Sequence, residues 1–465
     1  MTSIVLLSVL GIANLFLGFL RSNRILLPAA LVILLLAFGA NVLDWGAAPQ
    51  SYFNNMLTID NYSVAFTGIV VLTTLLLLPF SEKYVHDGEA NLAEYYSLLL
   101  FALVGAIMMV SYDNMLMLFV GIEILSISMY VLAGSDKRNV RSNEAALKYF
   151  LMGSFATGIL LFGIALVYGA TGTFQLTQIG AGVANPANAS FMPMLYIGML
   201  LMFIGIGFKV SAAPFHYWTP DVYEGTPTFF TAFMSTVVKT AGFAAFLKLL
   251  LFAFSTAQSF WVPTIMAMTV LTLLIGNVGA VAQSSAKRML AYSSISHAGY
   301  LFIGLVALNG KLSENGIFFY SLAYSIATVA SFAVLKLVID QRQREDYDGL
   351  NGLAKTNPLL AFVLTVAMLS LAGIPLTGGF FGKFFLFGAA VDKGYIGLVV
   401  FAVVMSMVGI YYYLRPVIAM YMRPAADEAA TTPIVVSGFQ SAVLVILALL
   451  TILLGVLPGI ASSLL

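Results

Sequence analysis

GFKVSAAPFHYWTPDVYEGTPTFFTAFMSTVVKTAGF, residues 207–243, joins two apolar runs through a break, and each run carries a lysine. The first run, residues 193–213, carries Lys209. The break holds Pro214, Pro220 and Pro227, which lack the N–H that a continuous helix needs. The second run, residues 227–253, has Lys239 as the thirteenth of its 27 residues. A run of that length crosses a hydrocarbon core about 30 Å thick, so this lysine falls near the middle. Charge at such depth is costly and marks a pathway, and backbone freed at the break has to be buried against protein or water.

Working outward, the same kind of run recurs along all 465 residues. The chain is 61% hydrophobic and 9% charged, against about 25% charged in a soluble domain, which excludes a water-soluble fold. A β-barrel would show short alternating segments. The spans predicted are 3–20, 25–43, 61–80, 93–111, 114–133, 146–169, 193–213, 227–253, 260–282, 289–308, 315–339, 357–391, 395–421 and 434–457. The expectation is an all-α integral membrane protein of about 14 transmembrane helices. The start lacks a basic n-region and leads to Arg21 and Arg24, so it reads as a retained first span rather than a signal peptide.

Lysine and arginine in the connections set orientation. With the N-terminus outside, fifteen fall on the cytoplasmic side, including Arg21, Arg24, Lys83, Lys137, Lys287, Arg288 and Lys336; only Lys248, Lys311 and Lys393 fall outside. Lys209, Lys239 and Lys383 remain within spans and complete the total of 21. Both termini are then on the outer side. Long loops are few: an uncharged outer one over residues 170–191 and a charged cytoplasmic one over residues 341–357.

Helix twelve is also broken, in LAGIPLTGGFFGKFFLF from Leu371 to Phe387. An interval of 174 residues separates Glu123 from His297, Gly205 from Gly379 and Lys209 from Lys383. An internal repeat is the simplest cause, and an odd number of helices between equivalent points makes the units inverted. The expected division is an N-terminal three-helix segment (1–92), a first repeat of helices 4–8 (93–259), a second, inverted repeat of helices 9–13 (260–424) and a last helix (425–465), with helices 7 and 12 discontinuous.

Five residues carry candidate chemistry. Glu123 is at mid-span and needs a partner or a proton; Lys209 is the obvious partner, and such a pair titrates as a coupled unit. A static pair that fixes helix register is the competing reading. Lys239 has no carboxylate at its depth, and desolvation disfavours its charged form, which suits reversible protonation; Thr226 and Pro227 are expected to cap and start its helix. Lys383 follows the break in helix twelve, where it could exchange protons or simply solvate helix-end carbonyls. His297, beside Ser293, Ser294 and Ser296, could pass a proton through its two ring nitrogens or be a packing residue. His216, Trp218, Asp221 and Glu224 read as capping and loop residues, and His86 as part of a polar loop.

Redox chemistry is not available to this chain. It has no cysteine and three histidines, too few for thiolate clusters or bis-histidine haem, and no ligand cluster suggests a metal. The net charge of +1 gives nucleic-acid binding no support.

Taken together, the stretch quoted above, GIEILSISMYVLAGS at residues 121–135 and the helix-twelve motif resemble the subunit N (mitochondrial subunit 2) family of proton-pumping NADH:quinone oxidoreductase, respiratory complex I. The likeness spans nearly the whole chain. It implies an antiporter-like, non-redox subunit of the membrane arm that moves protons while quinone is reduced elsewhere. It implies a regulated Glu123 and Lys209 pair, Lys239 as central relay, Lys383 as the distal exchange site and His297 as the connecting residue. FMN, iron–sulfur clusters and quinone are expected in partner subunits and no cofactor here. The expected partners are subunits K, J and M, the lipid bilayer, protons and internal water, in a bacterial inner membrane. Subunit M and its antiporter counterpart generally place glutamate where Lys383 stands, and subunit L carries a long lateral helix, whereas this sequence stops at Leu465. A subunit of a multi-component Na+/H+ antiporter is the alternative.

Overall fold

The computed structural model describes residues 1–20, 23–81, 92–185, 190–308, 310–425 and 431–462. Arg21 and Lys83, expected on the cytoplasmic side, and His86, expected in a polar loop, lie outside the described residues. The helices are α1 (Thr2–Leu17), α2 (Leu26–Leu43), α3 (Asn61–Leu77), α4 (Leu92–Ser111), α5 (Met115–Ala133), α6 (Val140–Thr171), α7 (Leu176–Ala184), α8 (Met192–Lys209) and α9 (Thr219–Gly225). They continue as α10 (Thr228–Ala253), α11 (Gln258–Val281), α12 (Ala286–Val306), α13 (Lys311–Arg342), α14 (Pro358–Ala372), α15 (Gly378–Asp392), α16 (Ile396–Met422) and α17 (Gly438–Val456). Among the described residues twelve helices are long and apolar enough to cross a membrane; Thr2–Leu17 and Pro358–Ala372 are shorter apolar helices.

Both expected discontinuities are present. The seventh span stops at Lys209 rather than residue 213, because Ser211 turns the chain with a φ of 64°. The twelfth is two helices, α14 and α15, parted where Gly373 and Leu376 take φ values of 85° and 69°. Caps explain other shifted boundaries: Asn139 accepts a hydrogen bond from Arg141 N, so α6 begins at 140 rather than 146, and the Ser437–Gln440 capping box delays α17 to 438.

Three features were not legible. A hairpin of β1 (Gln50–Tyr52) and β2 (Leu57–Ile59) pairs Ser51 with Thr58. The loop over 170–191, expected on the outer side, contains α7, whose Leu176, Ile179 and Val183 are buried. Lys248, placed by charge counting in an outer connection, is buried at 2% exposure and lies 2.9 Å from Asp113.

Helices α6 and α8 pack along their length, as do α11 and α12. Small residues permit this: a Cβ on Gly163 would stand 2.7 Å from Gly198 O, and one on Gly198 2.9 Å from Gly163 O. Helices α10, α12 and α13 are the most enclosed, whereas α2 and α16 are largely exposed. Lys209, Lys239, His297 and Lys383 are accordingly all buried within the protein.

Candidate proton-relay site

Lys209 is the last residue of α8 and is buried at 5%. Its Nζ donates to Ser126 Oγ (2.7 Å) on α5 and to Tyr149 OH (3.3 Å) on α6. The direct ion pair expected with Glu123 is not formed; Glu123 acts on Lys209 electrostatically from beyond contact distance. Helix geometry supplies the reason. Val120, Ile127 and Val131 make the exposed stripe of α5 and partly exposed Glu123 lies along it, while Ser126 points inward. Tyr149 stacks on Trp218 with centroids 4.7 Å apart, and Trp218 donates from Nε1 to Phe208 O (3.0 Å). The break after Lys209 is thus closed by aromatic packing.

Lys239 is 2% exposed and lies between two π-helical turns of α10, Met234–Val238 and Leu249–Ala253. Such turns are rare and occur often at functional sites. Its Nζ donates to Ser294 Oγ (2.5 Å) and to the Ser294 carbonyl, and Tyr324 OH donates to the same Oγ (2.9 Å). Among the described residues no carboxylate pairs with it, as the sequence indicated. The expected cap differs: Pro227 occupies the cap position without a side-chain bond, and Thr226 ends α9 instead.

One helical turn beyond Ser294 on α12, His297 is buried. Its Nδ1 is 2.6 Å from Tyr320 OH and its Nε2 2.9 Å from Tyr413 OH. The Tyr324 ring lies 4.7 Å from the imidazole. Lys239 and Lys383 both act on it electrostatically. The serines beside it take part in the same hydrogen bonding: Ser293 Oγ is 2.5 Å from Tyr413 OH.

Lys383, on α15, reaches back across the break. Its Nζ donates to Leu371 O (3.3 Å), Ala372 O (2.9 Å) and Ser406 Oγ (2.8 Å), and lies 4.5 Å from the centre of the Tyr300 ring. These carbonyls end α14 and have no onward helical partner. The helix-end solvation read as an alternative is therefore the observed contact. It leaves the ammonium buried, and among the described residues no carboxylate pairs with it.

Lys239 meets α12 at Ser294, one turn from His297, and Lys383 meets Tyr300 on the same helix, whereas Lys209 is held by α5 and α6. The sequence reading missed the hydroxyl partners Ser126, Tyr149, Ser294, Tyr320, Tyr324, Ser406 and Tyr413. Tyr320 and Tyr324 carried a usable signal, being four residues apart on one face of an apolar helix.

At the end of the molecule where α9 lies, Asp221 and Glu224 are not caps. Asp221 pairs with Lys148 (3.0 Å) and Arg288 (2.9 Å), and Glu224 with Arg288 (2.5 Å). Burial pushes the Asp221 carboxyl up, but hydrogen bonds from Lys148 and Arg288 outweigh it and hold it below its ordinary value of 3.8. A folded value below the unfolded one gives stability that is present above about 3.8 and lost as pH falls through the lower folded value. Thermal unfolding of the detergent-solubilised complex from about pH 6 to about pH 3 should thus show a steeper acid-side fall for the native chain than for Asp221→Asn. Parallel curves would rule this out.

Among the described residues no group of three or more His, Cys, Asp or Glu could hold a metal ion. Residues 112–409 match the family described as NADH:quinone oxidoreductase/Mrp antiporter, TM. The chain is 41% identical over 460 residues to NADH-quinone oxidoreductase subunit N of Cytophaga hutchinsonii, covering 99% of this chain and 98% of that one. It is 44% identical over 431 residues to the subunit N of Trichlorobacter lovleyi, covering 91% and 87%. A chain of respiratory complex I from Thermus thermophilus, solved with bound Aureothin, superposes with a TM-score of 0.84 at 36% identity, covering 99% of this chain and 98% of that one.

Proposed function

The chain belongs to the subunit N family of NADH-quinone oxidoreductase and is a multi-pass subunit of complex I, and from that premise we propose that it moves protons across the membrane through Glu123, Lys209, Lys239, His297 and Lys383. The observation that carries this reading is the burial of Lys239, His297 and Lys383 against one helix, α12, at Ser294, His297 and Tyr300. Their polar partners are hydroxyls and carbonyls, and among the described residues no carboxylate pairs with the two lysines. A buried ammonium without a counter-ion is penalised by desolvation and can be emptied and refilled by small changes nearby. Each lysine retains donor contacts that hold the proton in place while it waits.

Glu123 and Lys209 act as the switch. Drawn together, they hold a charge pair; apart, Lys209 rests on Ser126 and Tyr149, and the field at the other two lysines changes. Quinone reduction elsewhere in the complex drives the alternation, with FMN, iron–sulfur clusters and quinone in partner subunits and subunits K, J and M as neighbours. Protons enter from the cytoplasm and leave outside, with both termini on the outer face of a bacterial inner membrane.

The twelve long helices, α1 and the broken α14 and α15 make fourteen spans on this reading. Helices 4–8 (residues 93–259) and 9–13 (260–424) form the two inverted units, between residues 1–92 and 425–465. The recurrence of closely packed pairs, α4 with α5 and α11 with α12, supports that division.

Glu123→Gln tests the switch. The complex should assemble and oxidise NADH in detergent, yet translocate several-fold fewer protons per electron in sealed vesicles. An unchanged ratio would remove Glu123 from the mechanism.

A further inference from the structure

We propose that Tyr320 and Tyr413 are themselves proton-carrying residues, and that with His297 they form a valve that passes one proton and then stands reversed until the ring is released. This inference rests on the relay reading above.

Both phenols are buried, at 1% and 2% exposure, and they come from different helices, α13 and α16. They hold opposite edges of one imidazole, at 2.6 Å on Nδ1 and 2.9 Å on Nε2. A neutral imidazole offers one N–H and one bare nitrogen. One phenol therefore donates to the ring while the other accepts from it, and the hydrogen bonds run in a single direction across the three residues. The charged and titratable groups around the ring are Lys239, Lys383, Tyr300, Tyr320, Tyr324 and Tyr413. None is a carboxylate, so among the described residues no fixed negative charge holds the imidazolium form.

The passage balances as follows. Tyr413 gives its hydroxyl proton to Nε2 and takes a replacement from the side of Ser293, whose Oγ is 2.5 Å away. The imidazolium then gives its Nδ1 proton to Tyr320, which gives its own proton onward towards Lys383. Tyr320 lies against that lysine's helix, where a Cβ on Gly382 would stand 2.4 Å from the tyrosine ring. One proton has crossed and no net charge remains. The ring now carries its proton on Nε2, and both hydroxyls point back the way the proton came. Another cannot follow until at least one tyrosine withdraws and the ring exchanges its proton. Relative movement of α12, α13 and α16 would supply that reset.

The test is Tyr413→Phe and Tyr320→Phe in the whole complex, reconstituted in sealed vesicles. Phenylalanine keeps the ring packing and removes only the hydroxyl. Each variant should assemble and reduce quinone, with proton translocation per electron at least about tenfold lower, in the range removed with a proton-transfer group. The solvent deuterium isotope effect on the residual flux should also differ from that measured for the native complex, which a purely structural role would not alter. Normal translocation with an unchanged isotope effect in both variants would overturn the valve. If Tyr413→Phe fails to assemble, Tyr320→Phe and Ser293→Ala decide, and normal output in both overturns it. Lys239→Ala run in parallel separates the two readings: if it loses translocation while the tyrosine variants do not, only the valve fails; if it also pumps normally, the relay itself falls.

Discussion

Lys239→Ala is expected to leave the complex assembled and able to pass electrons to quinone in detergent, while proton translocation in sealed vesicles falls by about tenfold or more. The fold should survive because two costs oppose each other. Truncation empties a small volume and removes the bonds to Ser294, losses of about 1–3 kcal/mol for such contacts. It also removes an ammonium that is 2% exposed with no counter-ion among the described residues, a burden that costs several kcal/mol by itself. Transport has no such compensation, since on the proposed path the step between Lys209 and His297 loses its lysine. Lys239→Arg separates charge from titration: a guanidinium keeps the positive charge but does not release a proton. It should therefore fail to pump as alanine does. Normal pumping by either variant would remove Lys239 from the path.

Gly379→Leu is expected to abolish accumulation of the subunit in the membrane. A Cβ at this position would fall 1.8 Å from Ser370 O and 2.7 Å from the carbonyl carbon. Both are backbone atoms of α14, so no side chain can rotate out of the way. The Gly379 N–H also donates to Ser370 Oγ at 3.1 Å, which ties the start of α15 to the other half of the broken helix. Overpacking a fitted core costs about 1–3 kcal/mol, and here the displaced element carries Lys383, so separation would also strip the lysine from Leu371 O and Ala372 O. Gly388→Ala on the same helix, where an added Cβ meets nothing within 4 Å, should leave membrane levels and pumping unchanged. Immunoblots of washed membranes decide the matter, and normal levels of Gly379→Leu would show that the break tolerates widening.

Much of this was legible because apolar length, helix breakers and charges in oil are local properties. The broken twelfth span could be read from Pro375, Gly378 and Gly379, and the lack of a carboxylate beside Lys239 from the apolar run around it. The Glu123 and Lys209 pair was harder. Spacing on a helix gives the face of each side chain relative to its own neighbours, not which face the fold turns inward, and here Glu123 lies on the outer stripe of α5 while Ser126 takes the lysine.

The sequence by itself determined that the chain lives in a bilayer, where its interruptions fall and which titratable groups are stranded at depth, because burial in hydrocarbon is decided within one helix length. Only the tertiary structure decided which hydroxyls receive those groups. Ser294 meets Lys239 across 55 positions, and Tyr413 meets His297 across 116. Such contacts depend on how separate helices rotate and tilt against each other to fill space, a property of the whole bundle that no single stretch of residues encodes.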